Sequence, residues 1–134
     1  MTGFEMYELR WQEENRVFYV KFEGDLSLEE LCECSVRILN EYVSIGNPPV
    51  HMICDIGEAT AFPKNVPVLA RETIAYLRHP NMGWITFVGV ENPMAKFIVS
   101  VLTQMVSVNS KNVKTLDEAM DVLRRADLSL LKIS

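Results

Sequence analysis

The chain has 134 residues, a formal net charge of −5 at pH 7 and 49% apolar residues. This length suits one domain with its own core, and the composition excludes disorder as the main state. Because nucleic acid and anionic membranes need a basic face, the acidic balance argues against both as main partners. No apolar run approaches the ~20 residues of a membrane span, and the acidic N-terminus lacks a signal-peptide core, so we expect a cytoplasmic protein.

The first elements are predicted as a hairpin and a helix. Apolar and charged residues alternate over residues 6–11, as in a half-buried strand, and residues 16–23 predict a second strand after a polar turn. Ser27 and Glu30 have the spacing of a capping box, which predicts the start of a helix. This helix is expected to end at Gly46, and its apolar stripe comprises Leu31, Cys34, Ile38, Tyr42 and Ile45.

The middle of the chain predicts a buried strand, a loop and a second helix. Residues 50–55 form a short apolar run between turn residues, which is typical of a buried parallel strand, and residues 57–63 are expected to form a loop. Asn65 is the predicted N-cap of the second helix, which stops before Pro80. The apolar stripe of this helix comprises Val66, Leu69, Ala70, Thr73 and Leu77.

The last third repeats the alternation of strand and helix. Residues 84–90 predict another buried strand, Asn92 caps a third helix, and residues 112–116 predict a short final strand. Thr115 and Glu118 form a second capping box ahead of a fourth helix that carries Ala119, Val122 and Leu123. The order β-β-α-β-α-β-α-β-α predicts a single α/β domain over residues 1–134, with a mixed sheet, an N-terminal hairpin and four helices.

The third helix is more apolar than a surface helix needs to be. Over residues 94–106 its polar side chains cover a stripe only about 100° wide, whereas contact with its own core needs little more than 100° of apolar surface. The helix is therefore buried between sheet and helices, docks on a second copy of the chain, or walls an apolar pocket. For the second of these, the dimer face comprises Phe97, Ile98, Val101, Leu102 and Met105.

The cysteines and histidines form no metal-binding motif. Cys32 and Cys34 are two residues apart on a helix and point to opposite sides, so they cannot chelate one ion together. Cys54 lies in an apolar run and is expected to be a small buried side chain. Neither His51 nor His79 has an adjacent acid or nucleophile, so we expect no metal and no cofactor.

Polar residues follow the central predicted strand at the edge where parallel strands place ligand sites. Asp55 ends that strand, and Glu58, Thr60 and Lys64 lie in the predicted loop, where they could bind a substrate. In the alternative interpretation, Asp55 binds turn amides and Lys64 is merely solvated. Phosphate-binding, dinucleotide-binding and nucleophile-elbow motifs are missing from the sequence, so we expect that the protein is not an enzyme.

The element order and several segments resemble the STAS domain of anti-anti-sigma factors, and more closely the SpoIIAA-like (STAS/SEC14-like) group. The segments are residues 16–27 (RVFYVKFEGDLS), 53–55 (ICD), 62–64 (FPK) and 115–119 (TLDEA). In anti-anti-sigma factors, the loop after the central strand presents a serine that a kinase phosphorylates, which switches partner binding off. Here Lys64 or Asn65 stands in its place. The resemblance therefore implies a non-catalytic module that works through protein contacts, and the SpoIIAA-like relatives also resemble lipid carriers.

We expect the recognition surface in the loop from Asp55 to Asn65, with the third helix as the dimer face. The candidate residues for binding a partner or ligand are Asp55, Glu58, Thr60, Phe62, Lys64 and Asn65. The protein partner is not identified by the sequence, and a homodimer is expected. The first alternative is a carrier or sensor of a small apolar, lipid-like molecule. A second alternative is a small enzyme that uses Asp55 and Lys64.

Overall fold

The computed structural model describes residues 7–132, which form five strands and four α-helices in the predicted order. Met6, in the first predicted strand, lies outside the described residues. The strands are β1 (Tyr7–Glu13), β2 (Val17–Asp25), β3 (Val50–Ala61), β4 (Met82–Val88) and β5 (Ser110–Val113). The helices are α1 (Leu28–Ile38), α2 (Val66–Leu77), α3 (Pro93–Met105) and α4 (Leu116–Ala126), with a π-helical turn at Leu39–Val43 and a 3-10 turn at Leu128–Lys132.

The sheet has the order β1-β2-β3-β4-β5, and only the β1–β2 pair is antiparallel. Each parallel strand lies beside the strand before it, so the three crossovers run in the same direction. Right-handed crossovers that run in one direction place their helices on the same face of the sheet. Accordingly, α1, α2 and α3 cover one face, and α4 covers the opposite face over β3, β4 and β5. The predicted fold class is confirmed.

Two cores form on the two faces of this sheet because side chains alternate along a strand. Phe18 and Val20 on β2 enter the larger core beneath α1–α3. Val17 and Tyr19, their neighbours, enter the smaller core with α4. Because β2, β3 and β4 are parallel, their carboxyl ends lie at one edge of the sheet and their amino ends lie at the opposite edge.

The predicted loop at residues 57–63 is wrong, because β3 continues as a strand to Ala61. The end of β2 holds it there: Asp25 pairs with Ala61, and the amide of Leu26 donates to the Ala61 carbonyl at 2.9 Å. Two register shifts interrupt this pairing, which explains why Gly57 and its polar neighbours do not show a regular strand pattern. The strands predicted at residues 84–90 and 112–116 both begin two residues earlier than expected, and they end two and three residues earlier.

The predicted first helix is correct at its start and changes geometry before its end. Ser27 and Glu30 make both hydrogen bonds of the capping box. After Ile38 the helix widens to a π-turn, where the amide of Ser44 donates to the Leu39 carbonyl at 3.0 Å. The wider turn rotates Ile45 off the apolar stripe, and this side chain is 63% exposed. At α4 the Thr115 hydroxyl accepts from the Glu118 amide but donates to the Glu118 carboxylate, so only half of the second box forms.

Candidate functional site

Asp55 lies at the carboxyl edge of the sheet, and both of its oxygens have partners in the fold. The hydroxyl of Tyr19 donates to Asp55 Oδ2 at 2.8 Å, and the amide of Gly57 donates to Asp55 Oδ1 at 3.1 Å. Burial and the hydrogen bond to Asp55 raise the pKa of Tyr19, over whose ring the guanidinium of Arg10 lies at 4.4 Å. This geometry agrees with the interpretation in which Asp55 binds a backbone amide rather than a substrate, although that amide lies within β3 and not in a turn.

Glu58 and Thr60 connect the extended part of β3 to β2. The carboxylate of Glu58 pairs with Lys21 at 2.7 Å, and the hydroxyl of Thr60 donates to Asp25 Oδ1 at 2.6 Å. Both contacts join side chains on adjacent strands, where opposite charges and hydrogen bonds stabilise the pairing modestly. These two predicted binding residues therefore have a structural partner each.

The remaining predicted loop residues diverge from Asp55. Phe62 is half-buried against the larger core, and Asn65 caps α2 by accepting from the Val68 amide at 3.3 Å. Lys64 is exposed between them. The six candidate binding residues therefore do not form one site.

The third helix has a buried face and an uncovered apolar stripe. Met94, Phe97 and Met105 are 49%, 55% and 46% exposed, and half-buried Val101 continues the same line. Residues three or four positions apart lie on one face of a helix, so these four side chains form a single stripe along α3. Burial within the fold therefore explains only part of the apolar surface of α3. A second copy of the chain or an apolar ligand is left to explain the exposed stripe.

Two of the predicted dimer-face residues lie on the other side of α3. Ile98 is only 5% exposed, and Leu102 packs against the larger core. The prediction that both belong to an outward face is wrong, because α3 turns them toward the sheet. Phe97, Val101 and Met105 remain on the uncovered stripe.

The folded chain brings part of the predicted loop to the start of this stripe. Pro63 and Lys64 line a surface groove together with Pro93, Met94 and Phe97. The sequence reasoning missed Pro63, Pro93 and Met94. The spacing of three residues between Met94 and Phe97 was a signal for Met94, whereas the two prolines meet only in the folded chain.

An apolar cavity of about 60 Å³ lies between the sheet and α1–α3. Its wall includes Cys34, Cys54, Phe62 and the side of α3 that carries Ile98 and Leu102. Burial raises the pKa of Cys54, so its thiol stays protonated and unreactive. The cavity is smaller than the roughly 150 Å³ that holds benzene in an engineered core.

A buried polar cluster at the amino edge of the sheet was missed by the sequence reasoning. His51, 1% exposed, accepts a hydrogen bond from the Trp84 amide at Nδ1 (2.9 Å), so its proton resides on Nε2, which donates to Asp127 Oδ2 at 2.8 Å. Arg16 Nη2 donates to the same oxygen at 2.6 Å. His51 and Asp127 are 76 residues apart in the chain, and no local pattern links them.

The pKa values of this cluster follow from burial and from its hydrogen bonds. Burial, together with the charge of Arg16, lowers the pKa of His51 more than the hydrogen bond and charge of Asp127 raise it. Burial acts to raise the pKa of Asp127, but hydrogen bonds from His51 and Ser129 and the charge of Arg16 outweigh it, and the pKa falls to about 2. A neutral histidine therefore faces an ionised carboxylate, and together they fix the end of α4 to the sheet.

Within residues 7–132, no three His, Cys, Asp or Glu side chains are grouped so that they could hold a metal ion. Cys34 is buried and Cys32 is half-exposed, in agreement with their predicted opposite directions. None of the helices in this described part of the chain has the length and apolar character to cross a membrane.

A scan of protein-family models and a search of the curated proteins found no match for this chain. Among solved structures, the chain is similar to an uncharacterized protein of the DUF3478 family with a SpoIIAA-like fold, from Shewanella loihica PV-4. The two align with a TM-score of 0.64 and 15% sequence identity over 92% of this chain and 98% of that chain. At this identity the similarity shows the fold alone. The chain has a SpoIIAA-like fold, as the resemblance in its sequence implied.

Proposed function

We propose that this protein is a non-catalytic STAS-like module that recognises proteins, including a second copy of itself, through one surface. We call this the α3 surface; it consists of Pro63, Lys64, Pro93, Met94, Phe97, Val101 and Met105. The observation that carries the proposal is the uncovered stripe. Seven large apolar side chains are exposed among the described residues, and three of them lie on this one helix. Clustered apolar exposure marks interaction sites, whereas single exposed side chains do not.

The contacts of the polar candidate residues support a non-catalytic role. The carboxylates of Asp55 and Glu58 both make contacts within the fold. A general base or nucleophile must instead reach a substrate within hydrogen-bond distance. The proposal also includes no phosphorylation switch between β3 and α2, since Lys64 or Asn65 stands in place of the serine. The nearest hydroxyl in the sequence, on Thr60 in β3, donates to Asp25.

Self-association is tested by sedimentation equilibrium at micromolar concentrations. We expect a dimer for the natural chain and a monomer for Met105→Ser, because the serine removes apolar area from the far end of the α3 surface. Ile45→Ser is the control, since Ile45 is an exposed apolar side chain that lies just after the π-helical turn and not on α3, and it should remain dimeric. A natural chain that sediments as a clean 15 kDa monomer would remove self-association from the proposal.

A second function, the carriage of a small apolar molecule, is favoured by the cavity beneath α1–α3. Native mass spectrometry of freshly purified protein tests it. An added lipid-like mass that disappears in Cys54→Leu, which fills the cavity, would support a carrier. An empty chain would count against it, and the cavity of about 60 Å³ is already small for an acyl chain.

A further inference from the structure

The groove at the start of the α3 surface combines apolar walls with one positive charge. Among the described residues that line it, Pro63, Pro93, Met94 and Phe97 are apolar, and Lys64 is the charged one. Phe97 and Met94 are each about half exposed, so the groove offers two large side chains that have no cover of their own. An occupant must therefore supply an apolar side chain to these walls.

The ends of two helices add to the positive charge of Lys64. Lys64 directly precedes Asn65, the N-cap of α2, and Pro93 is the first residue of α3. The N-terminus of a helix carries a partial positive charge that acidic side chains in the first turn normally offset. Among the four described helices, α1 has two acidic residues in its first turn and α4 has two, whereas α2 and α3 have none.

The charge at these two helix ends is therefore not balanced by side chains of their own first turns. The caps of both helices, Asn65 and Asn92, are neutral. Glu91 immediately precedes the cap of α3, outside its first turn, and it lines a separate groove with Gly89 and Lys114. A bound segment with a large apolar side chain would match the apolar walls of the groove, and carboxylates next to that side chain would match its positive charge.

We infer that the groove binds an acidic peptide segment of a partner protein, in which a large apolar side chain lies between Phe97 and Pro63 and neighbouring carboxylates face Lys64. This inference rests on the proposed function and names the class of partner. A second copy fits the groove less well. A twofold contact centred there would bring the two Lys64 side chains and the same helix ends together, so self-association centres on Val101 and Met105 instead.

The experiment is a selection from a random peptide display library on the purified, immobilised chain. We expect the enriched peptides to combine Phe, Trp or Leu with two or more Asp or Glu. A parallel selection on Lys64→Glu should lose this preference for acids, because the charge at the groove is reversed. Lys111→Glu makes the same charge change on β5, outside the groove, and should select the acidic peptides.

Affinities of one enriched peptide are then measured by fluorescence anisotropy. We expect Phe97→Ser to weaken binding by about tenfold or more, as at a central apolar contact. Lys64→Glu should weaken it by about three- to fivefold, an effect that salt reduces. Ile45→Ser and Lys111→Glu should stay within about twofold of the natural chain, as changes outside an interface do.

Four outcomes would overturn the inference. If the peptides depend on Phe97 but show no excess of acidic residues, the inference of an acidic partner is wrong, while the α3 surface is still a recognition surface. Loss of peptide binding as the chain dimerises through Phe97 would make a second copy the occupant. Peptides that bind Phe97→Ser as well as the natural chain, or no enrichment for a monomeric chain, would contradict the proposed function as well.

Discussion

The two edges of the sheet differ in what they bury and what they expose: the amino edge has a buried polar cluster, and the carboxyl edge has exposed apolar side chains close to it on α3. At the amino edge, His51 and Arg16 are buried and both donate to the mostly buried carboxylate of Asp127. At the carboxyl edge, Asp55 is engaged with Tyr19 and Gly57, while Phe97 and Met94 are left uncovered nearby on α3. A titratable cluster in this fold is thus a structural element, and the surface that lacks a partner is apolar.

The largest expected effect is at the amino edge. Asp127→Ala leaves two buried donors, on His51 and Arg16, without their acceptor, and breaking such a buried pair costs about 3–5 kcal/mol. Urea unfolding measures the loss in the free energy of unfolding. Asp121→Ala, at an exposed position of α4, is the control and should change it by less than about 0.5 kcal/mol. An equal effect of both variants would show that the cluster does not hold α4.

The two faces of α3 can be separated with adjacent residues. Ile98→Ala should lower the free energy of unfolding by about 3 kcal/mol, because it removes buried methyl groups and enlarges an existing cavity. Phe97→Ala should change it by less than about 0.5 kcal/mol, as expected at a surface position. Thermal unfolding of both variants measures these two changes. A larger loss of stability for Phe97→Ala than for Ile98→Ala would mean that α3 packs on the sheet through its other face.

A third effect concerns the close approach of β3 and β4 at the carboxyl edge. Gly89 has φ +77°, and a Cβ at this position would lie 2.6 Å from the Cα of Gly57. Gly89→Ala should therefore destabilise the chain by about 2 kcal/mol. Gly57→Ala is the matched control, since its Cβ would meet its neighbours at 3.5 Å or more. If chemical unfolding gave the same free energy for both variants, the strained turn would be contradicted.

The smallest effect is a dependence on pH. The fold lowers the pKa of His51 from its ordinary 6.5, so the folded chain binds the proton less well than the unfolded chain. Stability should therefore be full above about pH 6.5 and fall as the pH drops below that value, until the lowered pKa is passed. Urea unfolding at pH 7 and pH 5 measures the difference, and His51→Gln should reduce it. A natural chain that gains stability at pH 5 would have the opposite sign.

Local patterns predicted local structure, and contacts distant in sequence decided the rest. The cap at Ser27 and the strand at residues 50–55 depend on neighbouring residues, and both were predicted. The extension of β3 to Ala61 depends on pairing with β2, and the His51–Asp127 contact joins residues far apart in the chain. No periodicity carries that information.

The candidate site was predictable only in part for the same reason. The excess apolar surface of α3 was visible in the sequence, but Phe97 and Ile98 are equally apolar neighbours. The packing of α3 on the sheet, not the pattern, decides which of the two is covered. The meeting of Pro63 with Phe97 likewise depends on how β3 and β4 place the helices that follow them.

The proposal that the α3 surface is where this protein meets its partners is tested most directly by NMR of ¹³C-labelled methionine methyl groups. Met94 and Met105 report on the α3 surface, and buried Met52 and Met120 report on the two cores. We predict that the Met105 resonance shifts as the protein concentration rises, that the Met94 resonance shifts when an acidic peptide is added, and that the two buried methyls stay unchanged. Shifts confined to Met52 or Met120, or none for Met94 and Met105 under either condition, would contradict the proposal.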